Sequence, residues 1–227
     1  MTALFVFLMI VAFLTIDWFV RRARAPRLEL SYAVGRRPAP ALRPSEIPAG
    51  YFFSPEHAWA HLLEDGTVRV GADAFVTNLL GAASVVDLLS DGEQVVRGDH
   101  MAVYRQDGRK VRFSSPLSGT VLEKNPALTE NPSLISAHPF ENGWLYRLRP
   151  EKLDDELPRL MLAGRAKEWL ATEAKRVRDF LAHATATTGL ALQDGGEPVT
   201  NALTMLDANV WQQFESNFLA ASQQERA

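Results

Sequence analysis

The first twenty residues constrain this chain most. From Thr2 to Val20 the sequence reads TALFVFLMIVAFLTIDWFV, with Asp17 as its one charged residue. A helix needs roughly 20 predominantly apolar residues to cross a bilayer, and this run supplies them. Arg21, Arg22, Arg24 and Arg27 follow at once. A cleavable secretion signal carries its charges before the apolar run and a small-residue cleavage site after it. Here the order is reversed, so residues 1–20 are expected to form an uncleaved, single-pass transmembrane anchor. The positive-inside rule puts the Arg-rich flank in the cytoplasm. The N-terminus then faces out, and the soluble body is expected on the cytoplasmic face of the inner membrane. Trp18 falls at the interface, where such aromatics collect. Asp17 lies one turn before Arg21 and is expected to pair with it at headgroup level; contact with a second membrane helix is the alternative.

Residues 21–50 read as a linker. Pro26, Pro38, Pro40, Pro44 and Pro48 remove backbone donors and fix dihedrals, which predicts an extended tether. Its arginines, Arg21, Arg22 and Arg24 first, can lie against anionic headgroups.

From 51 to 150 the pattern changes to short apolar stretches broken by turn residues. Val68-Arg69-Val70 alternates, and Glu64-Asp65-Gly66 reads as the turn before it. Asp91-Gly92, Gly98-Asp99 and Asp107-Gly108 punctuate further runs, and Asp-Gly between such runs is a strong hairpin signal. A spacing of about ten residues between strands predicts a small all-β sandwich or barrel. One segment departs from this rhythm: Asp73 to Leu80 has helical spacing at Phe75, Leu79 and Leu80 and stops at Gly81. After Pro150 the period becomes helical. A C-terminal helix is expected over 151–184, a loop over 185–200, and a terminal amphipathic helix over 201–227 capped by Thr200 or Asn201. Val210, Trp211, Phe214, Phe218 and Leu219 share one face of that last helix.

The chemistry available is narrow. With no cysteine, the chain has no disulfide, thiolate metal site or Cys nucleophile. A net charge of -3 argues against a nucleic-acid footprint over the whole chain. No nucleophile–base pair is visible, and Ser114, Ser115 and Ser118 read as turn and strand residues. His57 and His61 are four apart, but Pro55 and Trp59 place them in extended chain rather than on one helix face. His100 and His138 are isolated. Asp194-Gly195-Gly196 lacks the Lys-Ser or Lys-Thr of a phosphate loop. Asp154, Asp155 and Glu156 suit a helix start, where the dipole favours acids. These readings predict no catalytic residue, no metal site, no small-molecule substrate and no enzymatic activity.

Several pieces in order resemble the H protein of the glycine cleavage system, a lipoyl-domain relative. They are His57-Ala58-Trp59; Thr67-Val68-Arg69-Val70-Gly71 followed by Asp73-Ala74; Leu80-Gly81; Ser115-Pro116-Leu117-Ser118-Gly119; and Asn125-Pro126-Ala127-Leu128. Asn131-Pro132-Ser133-Leu134, Pro139-Phe140 and Gly143-Trp144-Leu145 complete the pattern. The resemblance covers about half the chain, from Tyr51 to about Leu170. It implies a mainly β fold with helices: a lipoyl/H-protein-like barrel-sandwich hybrid, here with an N-terminal transmembrane helix and C-terminal helices. It also implies an exposed hairpin whose tip, in true H proteins, presents a lysine that carries lipoate. Counted back from Ser115-Pro116, that position is Gly108, which has no side chain to acylate. Lys110 is the alternative, two residues on and on the same face by strand alternation. Arg105, Arg109 and Arg112 stand where the family surrounds its lysine with acidic and apolar residues. No lipoate or other cofactor is therefore expected.

The function that follows is an H-protein-like accessory or scaffold subunit on the cytoplasmic face of a larger respiratory or photosynthetic membrane complex, with no catalysis of its own. The alternatives are a membrane-tethered lipoyl-type carrier modified at Lys110, or an assembly factor. Arg105, Arg109, Lys110 and Arg112 are candidates for contact with an acidic partner or headgroups. Trp211, Phe214 and Phe218 are candidates for partner docking.

Overall fold

The computed structural model describes residues 47–188 and 201–220. The anchor over residues 1–20, most of the linker over 21–50 and the tail over 221–227 lie outside these. Among the described residues, no helix is long and apolar enough to cross a membrane.

Among the described residues, ten strands form two antiparallel sheets. β1 (Tyr51–Phe53), β2 (Ala58–Leu62) and β3 (Val68–Ala72) run consecutively. β4 (Val85–Leu88), β5 (Gln94–Val95), β6 (His100–Gln106) and β7 (Arg109–Ser114) follow a short helix, α1 (Ala74–Leu80). β8 (Gly119–Lys124) and β9 (Tyr146–Pro150) flank α2 (Ala127–Glu130) and α3 (Leu134–Ala137). β10 (Met161–Leu162) ends the set. The larger sheet has the order β10-β1-β2-β3-β9-β8-β5, and the smaller has β4-β6-β7. Val68, Val70, Tyr104, Val111, Phe113, Val121 and Leu148 are buried in one shared core. The mainly β, H-protein-like sandwich is thus present.

Local chemistry explains the elements. Asp73 caps α1, its Oδ1 accepting from the Val76 amide at 2.9 Å, and Gly81 ends it at φ +88°. The β2–β3 turn is held by Asp65 Oδ1, which accepts from the Thr67 amide and hydroxyl. Gly71 lies under Trp59, and a Cβ there would come within 2.4 Å of the indole. At the β6–β7 hairpin, Asp107 and Gly108 have φ of +46° and +77°. That pair of left-handed residues is the type I′ turn which the strand twist prefers.

Two helical expectations need correction. The helix predicted over 151–184 is broken at its start. α4 (Leu153–Glu156) and a 3₁₀ turn (Leu157–Arg159) come first. Leu160 then turns extended and buries its side chain, and Met161–Leu162 pair with Phe53 and Phe52 at the edge of β1. Satisfying that sheet edge outweighs helical propensity. The long helix α5 begins only at Ala163 and runs to Thr188, four residues into the predicted loop. Before it, Glu156 accepts from the Ser118 amide and hydroxyl, both at 2.6 Å, as a buried anchor rather than a dipole-facing surface acid.

The terminal helix predicted over 201–227 is also segmented. Asn201 has φ +66° and leads into a 3₁₀ turn, Ala202–Met205. The helix proper, α6 (Ala208–Phe214), is capped by Asp207 and passes into a π turn at Glu215–Leu219. The break lets the chain fold back, so that Trp211 Nε1 donates to the Leu203 carbonyl at 2.7 Å.

Candidate functional site

The turn of the β6–β7 hairpin is exposed at Asp107 and Gly108. The hairpin's inner face is apolar: Ala102 pairs with Phe113 and Tyr104 with Val111, all buried. Its other face carries charge. Arg105 stands directly opposite Lys110, and Arg112 lies two residues farther along β7. Sheet alternation places Lys110 and Arg112 together on this face, as the period of two requires. Asp107-Gly108 forms the tip, and an added Cβ at Gly108 would meet nothing within 4 Å. Lys110 is exposed, but it lies within the strand and not at the tip.

The C-terminal segment packs beside this hairpin. Arg109 donates through Nη1 to the Thr204 carbonyl at 3.1 Å, and its guanidinium lies 5.8 Å from the Trp211 ring centroid. Arg112 pairs with Glu215 at 3.5 Å, and Ser114 Oγ donates to the Leu219 carbonyl at 3.1 Å. Between hairpin and helix runs a cleft of about 590 Å³. Its lining includes Arg105, Arg109, Lys110 and Arg112 on one side and Gln212, Glu215 and Ser216 on the other. All four basic candidates thus meet at one place. Arg105 is partly neutralised by Asp87 at 2.5 Å.

The aromatic docking candidates are buried within the chain. Trp211 is 1 % exposed, Phe214 0 % and Phe218 5 %. Phe214 stacks on Phe218 at 4.9 Å, and both meet Phe180 of α5. This stripe is core because α5 supplies a complementary aromatic, so burial within the chain replaces the docking role. Arg21, Arg22 and Arg24 lie outside the described residues.

Sequence reasoning passed over a second cluster. His57 Nδ1 lies 2.6 Å from Asp73 Oδ2, and His57 Nε2 lies 3.7 Å from Glu173 Oε2. The Glu173 carboxylate also meets Arg176 at 2.5 Å. Burial alone would push the imidazole down, but Asp73 and Glu173 together raise it to about 9. Burial would raise the Glu173 carboxyl, but the neighbouring His57 imidazolium and the hydrogen bond from Arg176 hold it below the usual range. Trp169 lies over the imidazole, with centroids 4.8 Å apart. His57 and Asp73 were visible as separate motif pieces; nothing in their spacing reported that they touch. Neither faces the cleft, and the cluster ties α5 to the sheet and to α1. Among the described residues no group of three His, Asp or Glu is placed to hold a metal ion.

The family model for the glycine cleavage H-protein matches residues 51–173. The chain belongs to that family. Among H-protein relatives, a probable glycine cleavage system H protein of Thermococcus kodakarensis is 34% identical over 125 residues, 55% of this chain and 92% of the relative. The glycine cleavage system H protein of Thermus thermophilus is 34% identical over 129 residues, 57% of this chain and 99% of the relative. A crystal structure of a glycine cleavage system H protein from Mycobacterium marinum aligns with TM-score 0.49 at 26% identity, over 56% of this chain and 98% of that one. The H-protein match ends at Glu173, so the residues that close the cleft opposite the hairpin all lie beyond it.

Proposed function

We propose that this chain is a membrane-tethered H-protein-like module that has exchanged a carrier arm for a docking surface, and that it serves as an accessory subunit of a cytoplasmic-face membrane complex. The observation that carries this reading is the hairpin tip. Gly108 occupies the place where the resemblance expects a modified lysine, and its left-handed backbone sits in a turn that favours glycine. The surrounding arginines are held by Asp87, Glu215 and the Thr204 carbonyl, so the hairpin is built around basic groups rather than around an acylated one. The apolar run over 2–20 and its Arg flank support the tether and its orientation.

The test is native purification of the full chain in mild detergent, with co-purifying subunits and intact mass determined. Stoichiometric partners and an unmodified mass are the expected result. A homogeneous lone chain overturns the subunit reading. The exposure of Lys110 favours one competing reading, a lipoyl-type carrier. A lipoyl adduct that disappears in Lys110→Ala would establish that reading instead.

A further inference from the structure

We infer that the cleft between the β6–β7 hairpin and the C-terminal helix binds a phosphate monoester, with Arg109 and Lys110 as its cationic ligands. Local charge carries the argument. Four cations line the cleft. Two have carboxylates: Arg105 with Asp87 at 2.5 Å, and Arg112 with Glu215 at 3.5 Å. Among the described residues the other two have none. Arg109 is positioned by a carbonyl and an indole face, neither of which cancels its charge. Lys110 is exposed and stands directly across the ladder from Arg105, whose charge Asp87 already offsets, so the ammonium of Lys110 has no carboxylate of its own.

The uncompensated charge is therefore about two, matching a phosphate monoester, which carries roughly -1.5 to -2 near neutral pH. The shape agrees. The cleft volume of about 590 Å³ falls within the usual range for small-ligand sites. Its two walls come from different parts of the chain, which makes a concave site rather than a flat patch. Arg109 is also preorganised, since its guanidinium already lies in place on Trp211. A fixed guanidinium offers a fork of donors suited to phosphate oxygens, and a mobile ammonium adds a second charge. The phosphate can belong to a soluble metabolite or to a lipid headgroup. This inference does not depend on the subunit reading, because the cleft is formed within the chain.

Lys110 itself supplies a local readout. The full chain in neutral detergent is treated with an amine-acetylating reagent, and modification of Lys110 is followed by mass spectrometry, with exposed Lys124 as the internal reference. Saturating glycerol 3-phosphate is expected to slow acetylation of Lys110 by about tenfold and to leave Lys124 unchanged, since an occupied charge-assisted site shields the amine. Arg109→Gln is expected to abolish the protection. In the second arm the chain is placed in bilayer discs. Protection by phosphatidic acid over phosphatidylcholine, without protection by glycerol 3-phosphate, assigns the site to a lipid headgroup. The inference is overturned by no protection in either arm, by equal protection from acetate at matched ionic strength, or by Lys124 slowing as much as Lys110. The Lys110-to-Lys124 comparison in the unmodified chain decides the matter even if Arg109→Gln does not fold.

Discussion

His57 and Asp73 form a fully buried pair, Nδ1 to Oδ2, at 2.6 Å. The same aspartate uses its other oxygen to cap α1 at Val76. Glu173 approaches the far side of the imidazole from α5, and Arg176 closes the chain of charges. One histidine therefore joins the β1–β2 connection, the start of α1 and the long C-terminal helix. Such a cluster contributes to stability only while its charges balance.

Stability should fall on the alkaline side. The His57 imidazole is raised from 6.5 to about 9, so the folded state holds its proton more tightly than the unfolded state. That contribution is complete below about pH 6.5 and disappears as pH rises through about 9. At roughly 1.4 kcal/mol for each unit between the two values, it amounts to something on the order of 3 kcal/mol. Glu173 acts oppositely: its carboxyl is held low, so its contribution is present above its ordinary value and lost on acidification. Urea midpoints of the full chain from pH 5 to pH 10 should decline above neutrality, and His57→Gln should flatten that decline.

Removing Asp73 should be more costly than neutralising it. Asp73→Ala deletes a helix cap, typically worth about 1 kcal/mol, and leaves a buried imidazolium with one carboxylate fewer, for a total of roughly 3–5 kcal/mol. Asp73→Asn keeps a capping oxygen and should lose less, while shifting the alkaline limb to lower pH. Denaturant unfolding of the two variants separates the cap from the charge.

Trp211→Ala should lower stability by about 3–5 kcal/mol, as large-to-small changes in a packed core do. Trp211 is 1 % exposed and donates to the Leu203 carbonyl, so its loss also frees a buried acceptor. A residue that only docked a partner would leave the unfolding midpoint of the isolated chain unchanged, which thermal unfolding checks directly.

Gly108→Val should destabilise the hairpin by about 1–2 kcal/mol, although the site has room. The cost comes from holding a β-branched residue at φ +77°, not from a collision. Gly71→Ala should also destabilise, but through collision with the Trp59 ring. Amide exchange should localise the first effect to β6–β7 and the second to β2–β3.

Much of this molecule was legible in the order of its residues, because the relevant physics is local. Asp73 and Gly81 bounded α1, Asp107-Gly108 marked the hairpin, and the motif pieces from His57 to Leu145 carried the family. Turn chemistry and capping act within four residues, so sequence alone determined them. The tertiary structure decided what depends on distant neighbours. Met161–Leu162 became a strand because β1 offered an unpaired edge. Trp211, Phe214 and Phe218 became core because Phe180 waited on another helix. His57 met Asp73 and Glu173 because three separate elements converge there, and Arg109 and Lys110 face a cleft because residues beyond the family match form its second wall. Helical or strand spacing shows which side chains share a face, but what that face meets is set only when the chain closes on itself.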